Sequence, residues 1–108
     1  MASQAKRSRN RTEFARALTE AGFTDFLMLD TETAQSVLTE RRVELLRRIR
    51  AGDFDSVQRL ADDLGRDKAA VSRDLGLLFE HNAVDYEVEG SRKVPTLKHE
   101  RIVVEPIL

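Results

Sequence analysis

Arg73 and Ser72 are the side chains of this sequence best suited to reading the polar edge of another molecule. They stand in the run K-A-A-V-S-R-D-L-G, residues 68–76, with Ala69 and Gly76 one turn to either side of Arg73. Arginine offers a planar fork of donors, and serine both donates and accepts. At 3.6 residues per turn, Ala69, Arg73 and Gly76 share one side of a helix, flanked by Ser72 and opposite Val71, Leu75 and Leu78. Small residues around an arginine and a serine let a helix approach base edges in a major groove roughly 12 Å wide. Arg66 and Lys68, at the start of the same helix, are placed to meet phosphate with help from the helix N-terminus. Arg92 and Lys93 put positive charge at the tip of a hairpin. Lys6, Arg7, Arg9 and Arg11 form a basic stretch without an acid in residues 1–12, suited to phosphate through counterion release. The plain alternatives for these cations are an exposed helix face, an ordinary polar turn and a solubilising tail.

The residues of catalysis do not assemble in the same way. Every carboxylate falls on a polar helix face, in a cap or in an alternating strand, and no nucleophile–base pair or glycine-rich phosphate cradle is visible. No catalytic residue, and hence no enzyme, is expected. Cysteine is absent, and His81 and His99 are the only histidines. That excludes a disulfide scaffold, a thiol nucleophile and a thiolate or multi-histidine metal centre. Neither a metal nor a cofactor is expected.

The elements that must position these side chains follow from a chain of 108 residues, enough for one domain. Hydrophobic residues make up 41% but aromatics only 6%, so the core must be aliphatic. Eighteen basic against nineteen acidic residues leave a net charge of −1, which excludes a bulk positive polymer binder. No apolar run approaches the roughly 18 residues of a membrane span, and M-A-S-Q-A-K-R-S-R-N-R has no apolar signal region. The expected place is the cytoplasm, with no membrane partner.

Three segments are expected: a flexible basic arm over 1–11, a helical extension over 12–38 and a domain over 39–108. From Thr12, the residues Phe14, Ala17, Leu18 and Ala21 carry a helical period that stops at Gly22. F-T-D-F-L-M-L, residues 23–29, is a strand or a buried extended segment. Asp30 or Thr31 caps a short helix through Leu38, and Thr39 caps the next. The latter buries Leu45, Leu46 and Ile49, carries five arginines that read mostly as a solvated face, and ends at Gly52. Asp55 or Ser56 then caps a helix with Val57, Leu60, Ala61 and Leu64 inward, and Gly65 leaves it in a tight turn. Asp67 is expected to cap the following helix, with Val71, Leu75, Leu78 and Phe79 inward and Asn82 left-handed at its end. The period then falls to two in A-V-D-Y-E-V-E. G-S-R-K makes a turn, V-P-T-L returns as a strand limited to an edge by Pro95, and R-I-V-V-E-P is a last short strand.

The stretch L-A-D-D-L-G-R-D-K-A-A-V-S-R-D-L-G-L-L-F-E-H-N-A-V resembles the winged helix-turn-helix of the MarR and ArsR classes of transcription regulator, with Y-E-V-E-G-S-R-K-V as the wing. Together with V-L-T-E-R-R-V-E-L-L-R-R-I-R before it and R-I-V-V-E-P after it, it is similar to a family of small proteins of haloarchaea and bacteria regarded as DNA-binding. Some of those are encoded beside toxin genes. The resemblance covers about residues 36–106. It implies a mainly α fold with a small β-hairpin wing, preceded by an N-terminal helical extension. It implies a transcription regulator that binds double-stranded DNA, with helix 67–82 in the major groove and wing 84–97 beside it. A homodimer is expected, joined through apolar residues outside the motif: Phe14, Leu18, Phe23, Phe26, Leu27, Leu29, Ile102 and Val104. Two alternatives stay open. One is an antitoxin that binds both its promoter and a toxin. The other is a winged-helix protein-interaction module, which suits the nine basic and nine acidic residues of 39–82. Asp62, Asp63, Asp67 and Asp74 lie in the motif itself. Asp67 is accounted for as a cap, Asp74 by pairing with Arg73 or Lys68 or by pointing sideways, while Asp62 and Asp63 would repel phosphates if they faced a duplex.

Overall fold

Three helices of this protein end in the same way, and those endings direct the chain. The computed structural model describes residues 3–106, with side chains from residue 10 onward. The elements are α1 (Ser3–Glu20), β1 (Phe26–Leu29), α2 (Thr31–Val37), α3 (Glu40–Ala51), α4 (Val57–Leu64), α5 (Lys68–Glu80), β2 (Val84–Glu89), β3 (Arg92–Leu97) and β4 (Arg101–Val104). After α1, α4 and α5 the chain closes a Schellman motif. The amides of Phe23, Arg66 and Ala83 reach the carbonyls of Leu18, Ala61 and Leu78 at 2.9 Å. The residue before each has positive φ: Gly22, Gly65 at 63° and Asn82 at 64°. Glycine meets no steric cost there, and asparagine is the side chain that tolerates it best. At the other ends, Asp30, Thr39 and Ser56 accept the amides of Thr33, Arg42 and Arg59 as N-caps. Asp67 occupies the N-cap position of α5 but makes no side-chain cap bond, contrary to expectation.

The core gathers Val37, Leu45, Ile49, Leu60, Ala61, Val71, Leu75, Leu78, Ala83 and Val84. Leu45, Leu60, Ala61, Val71 and Leu78 lose all contact with solvent. Ala61 is fully buried on α4, which packs against α5, so a longer side chain there would have to displace its close-packed neighbours. Phe79 was expected inward and is instead 48% exposed. Its position, 80° round the helix from Val71, takes it past the edge of the buried stripe. There it lies against Tyr86, with ring centroids 5.4 Å apart.

The fold is more mixed than the expected helical domain with a single hairpin. Among the described residues, four strands form two separate two-stranded sheets. β2 and β3 pair antiparallel from Val84↔Leu97 to Glu89↔Arg92. Gly90 and Ser91 form the two-residue turn, with Gly90 at φ 64°, as a tight hairpin demands. Pro95 stands opposite Tyr86 and is buried; in a ribbon of two strands its missing N–H leaves no ladder partner without a donor.

The second sheet was not expected. β1 pairs in parallel with β4, Phe26↔Arg101 to Leu29↔Val104. The pairing ties the expected extension, residues 12–38, to the far end of the chain. It corrects part of the expected dimer surface. Leu29 is buried, and Leu27 and Ile102 pack on the core of the same chain. Asp25, at φ 53°, secures the entry to this ribbon. Its carboxylate takes the amide of Glu100 at 3.2 Å and meets His99 Nδ1 at 2.9 Å.

A second correction concerns the basic arm. Residues 3–11 belong to α1, which runs unbroken through position 12. No glycine or proline interrupts Ser3–Glu20, and Gln, Ala, Lys and Arg are strong helix formers, so a helix needs no apolar period here. Among the described residues, no helix is long and apolar enough to cross a membrane.

Candidate nucleic-acid interface

The outward face of α5 is set by what its inner face buries. Val71, Leu75 and Leu78 point into the core, so Ala69, Ser72, Arg73 and Gly76 are turned away from it, and all four are exposed. Lys68, in the first turn, is exposed as well. Neither Lys68 nor Arg73 forms an ion pair among the described residues. Both cations are therefore available to an outside partner, and the surface between them is of small side chains.

Arg66 is different, and here sequence reasoning misplaced a residue. Expected at phosphate, it folds beneath α5, with its side chain only 10% exposed. Its Nη2 donates to Asp74 Oδ2 at 2.7 Å. Asp74 in turn does not pair with Arg73 or Lys68; its Oδ1 accepts from Arg42 Nε at 3.1 Å. Burial by itself would raise the Asp74 carboxyl, but the bonds from Arg66 and Arg42 outweigh it and hold it below the ordinary carboxylate value. Asp63 is held the same way. Arg48 donates to it at 2.6 Å and Arg59 at 3.2 Å, and these bonds, Arg48's first, lower its pKa. Asp62 accepts from Gln58 at 2.8 Å. Arg42 and Arg48 are thus not part of a merely solvated helix face: they satisfy acids of the α4–α5 unit that would otherwise add negative potential beside it. Composition could not show this, because it counts charges without their partners.

The hairpin separates its two cations. Cross-strand partners share a face, so Val84/Leu97, Tyr86/Pro95 and Val88/Lys93 lie on one side, and Asp85/Thr96, Glu87/Val94 and Glu89/Arg92 on the other. The contact of Tyr86 with Phe79 makes the first side the one next to α5. Lys93, exposed beside the 72%-exposed Val88, therefore faces the α5 side. Arg92 is on the opposite side, 3.3 Å from Asp55. That side lines a shallow open groove in which Asp53, Glu87 and Glu89 stand with Arg50 beside Ile49, Phe54 and Val94; three carboxylates against one guanidinium make it unfavourable to phosphate.

Of the basic stretch, Lys6, Arg7 and Arg9 have side chains outside the described ones. Arg11 is within them and is not free: its Nε donates to Glu105 at 2.6 Å, and its Nη2 is 3.9 Å from Asp30. It anchors α1 to the ends of β4 and β1. The bond to Glu105 raises its pKa further. Of the expected dimer residues, Phe14, Leu18 and Phe26 are half-buried, and Phe23 and Val104 exposed. Arg101 lies over the Phe23 ring at 5.0 Å.

α5 thus presents Lys68, Ala69, Ser72 and Arg73 on one outward face, with Lys93 on the hairpin side that meets α5 through Tyr86, while Arg66 is mostly buried and Arg92 and Arg11 are paired elsewhere on the surface. A profile of the HVO_A0114 family matches residues 37–104. The chain belongs to that family. The part shared with the HVO_A0114 family runs from the end of α2 to the end of β4, so it holds the α4–α5 unit, the hairpin and the strand that reaches back to β1. No curated protein matches the chain.

Proposed function

We propose that this member of the HVO_A0114 family is a double-stranded DNA-binding regulator of transcription, built as a winged helix-turn-helix. In this reading α4, the turn at Gly65 and α5 are the helix-turn-helix, and the β2–β3 hairpin is the wing. α5 enters the major groove with Ala69, Ser72 and Arg73 toward the bases, and Lys68 and Lys93 meet phosphate.

One observation carries the reading. The outward side of α5 offers two uncommitted cations among small residues, while Asp63 and Asp74 of the same unit are each held by two arginines. The near-neutral composition therefore conceals a locally usable surface. Arginine among small residues suits bidentate recognition of guanine, and Ser72 beside it suits either a base edge or a sugar–phosphate oxygen. Two-fold pairing on a pseudo-palindromic site would multiply so few base contacts. It would draw on Phe14, Leu18, Phe23 and Val104, the apolar side chains that the β1–β4 ribbon does not bury.

Footprinting of the protein on the DNA of its own genome tests this. The expected result is a protected site that competes over random duplex by at least about a thousandfold. Equal, weak binding to every duplex would remove the regulator reading and favour a protein-interaction module.

A further inference from the structure

Arg66 poses a problem that its expected role does not solve. Its Nε and Nη1 are buried without a hydrogen-bond partner, and only Nη2 is satisfied, by Asp74. A guanidinium in that state is costly to bury and cannot reach phosphate. Its carboxylate partner is shared. Asp74 receives Arg42 on its other oxygen, and Arg42 Nη1 continues to the carbonyls of Ser36 at 3.0 Å and Val37 at 3.4 Å, at the end of α2. The side chains of Arg42, Asp74 and Arg66 are 22%, 15% and 10% exposed. Four segments are therefore tied together around one carboxylate: α3 through Arg42, the end of α2 through the carbonyls that Arg42 also reaches, the turn before α5 through Arg66, and the middle of α5 through Asp74.

We infer that Asp74 is a positioning residue, which with Arg42 and Arg66 fixes the rotation and tilt of α5 and thereby aims Arg73 and Ser72. The inference rests on the DNA reading for its consequence, and on the geometry alone for its mechanism. Apolar packing of Val71, Leu75 and Leu78 is non-directional and permits small rotations of the helix. Two charge-assisted bonds converging on one carboxylate from different elements do not. The position of Asp74 suits this, since it is adjacent to Arg73 in sequence yet 100° round the helix, on the flank of the buried stripe. Removing its charge leaves two guanidiniums facing each other in a half-buried space, so the arrangement responds to the carboxylate more than to either arginine. Uncompensated charge, not lost packing, is what loosens the helix.

The test compares full-length wild type with Asp74→Asn, Arg42→Gln and Arg66→Gln. Amide hydrogen exchange is measured without DNA, and binding to the footprinted duplex and to a scrambled one is measured across salt. Asp74→Asn is expected to keep its circular dichroism spectrum, to exchange the amides of residues 71–78 about tenfold faster, and to lose about tenfold in discrimination. Asp74→Glu should recover part of both. Arg66→Gln is expected to leave the salt slope unchanged. Arg42→Gln should speed exchange at residues 71–78 by a smaller factor, which decides the matter if Asp74→Asn does not fold. Unchanged exchange at residues 71–78 in every folded variant would overturn the inference. So would a salt slope in Arg66→Gln shallower by about 0.9, the mark of a lost phosphate contact. If wild type ignores every duplex, the DNA reading falls, and the exchange data still decide whether Asp74 positions α5.

Discussion

Replacing Arg73 with alanine separates base reading from general attraction more sharply than any other single change. Arg73 is exposed and bonded to nothing else among the described residues. Alanine is at least as good a helix former, so the folding stability should stay within about 0.5 kcal/mol of wild type. Any loss of affinity is then a property of the complex. A bidentate arginine–guanine pair discriminates by about 1–3 kcal/mol, which is about five- to 150-fold in Kd. Fluorescence anisotropy would compare the footprinted duplex with a scrambled one of the same length, from 50 to 200 mM salt. The expected loss falls on the footprinted duplex and leaves the scrambled one within about fivefold, since a single phosphate contact accounts for no more than that. Lys68→Ala is the control. It should weaken both duplexes alike and reduce the salt slope by about 0.9. Equal losses for Arg73→Ala on both duplexes would make Arg73 a phosphate contact only. No loss on either would mean that the outward face of α5 does not meet DNA at all.

Three further outcomes follow from the fold. Leu78→Ala removes a side chain with no solvent contact and should cost about 2–5 kcal/mol in urea unfolding; less than about 1 kcal/mol would mean that the site collapses or is not packed as described. Asn82→Gly should be tolerated within about 0.5 kcal/mol, whereas Asn82→Val should cost about 1–2 kcal/mol, because φ is 64° there; equal thermal midpoints for the two would contradict the left-handed cap. Asp74 has a pKa below its ordinary value in the folded state, so its contribution is fully present above about pH 4 and is lost as pH falls through the lower, folded value. Wild type should therefore be more stable than Asp74→Asn at neutral pH and approach it in acid, and a gap between them that grew on acidification would reverse the sign of the argument.

What the amino-acid sequence determined by itself is mostly what is settled within about five residues, the cap expected from Asp67 being an exception. The N-cap at Thr39, the caps narrowed to Asp30 or Thr31 and to Asp55 or Ser56, of which the structure uses Asp30 and Ser56, the left-handed residues Gly22, Gly65 and Asn82, and the hairpin turn at Gly90 all involve atoms already neighbours along the chain. Their chemistry does not wait for the rest of the fold to choose a partner. The same holds for the buried stripe of Val71, Leu75 and Leu78, and with it the outward face that carries Arg73, since helical period alone puts the two on opposite sides. Tertiary structure decided the rest. β1 and β4 are short runs some 75 residues apart, and nothing in either names the other; their pairing buries Leu29 and packs Leu27 and Ile102, partly buried, against the core of the same chain. The basic half of α1 is a different case, local but unread: helix propensity suffices there without an apolar period, and period is silent about propensity. The cations were least legible of all. Arg11, Arg42, Arg48 and Arg66 look like Lys68 and Arg73 in the chain, yet each of the four found a carboxylate from another element. A long charged side chain takes whichever partner the fold brings within its reach, so which positive charges remain for an outside partner was settled only once α3, α4 and α5 had packed together.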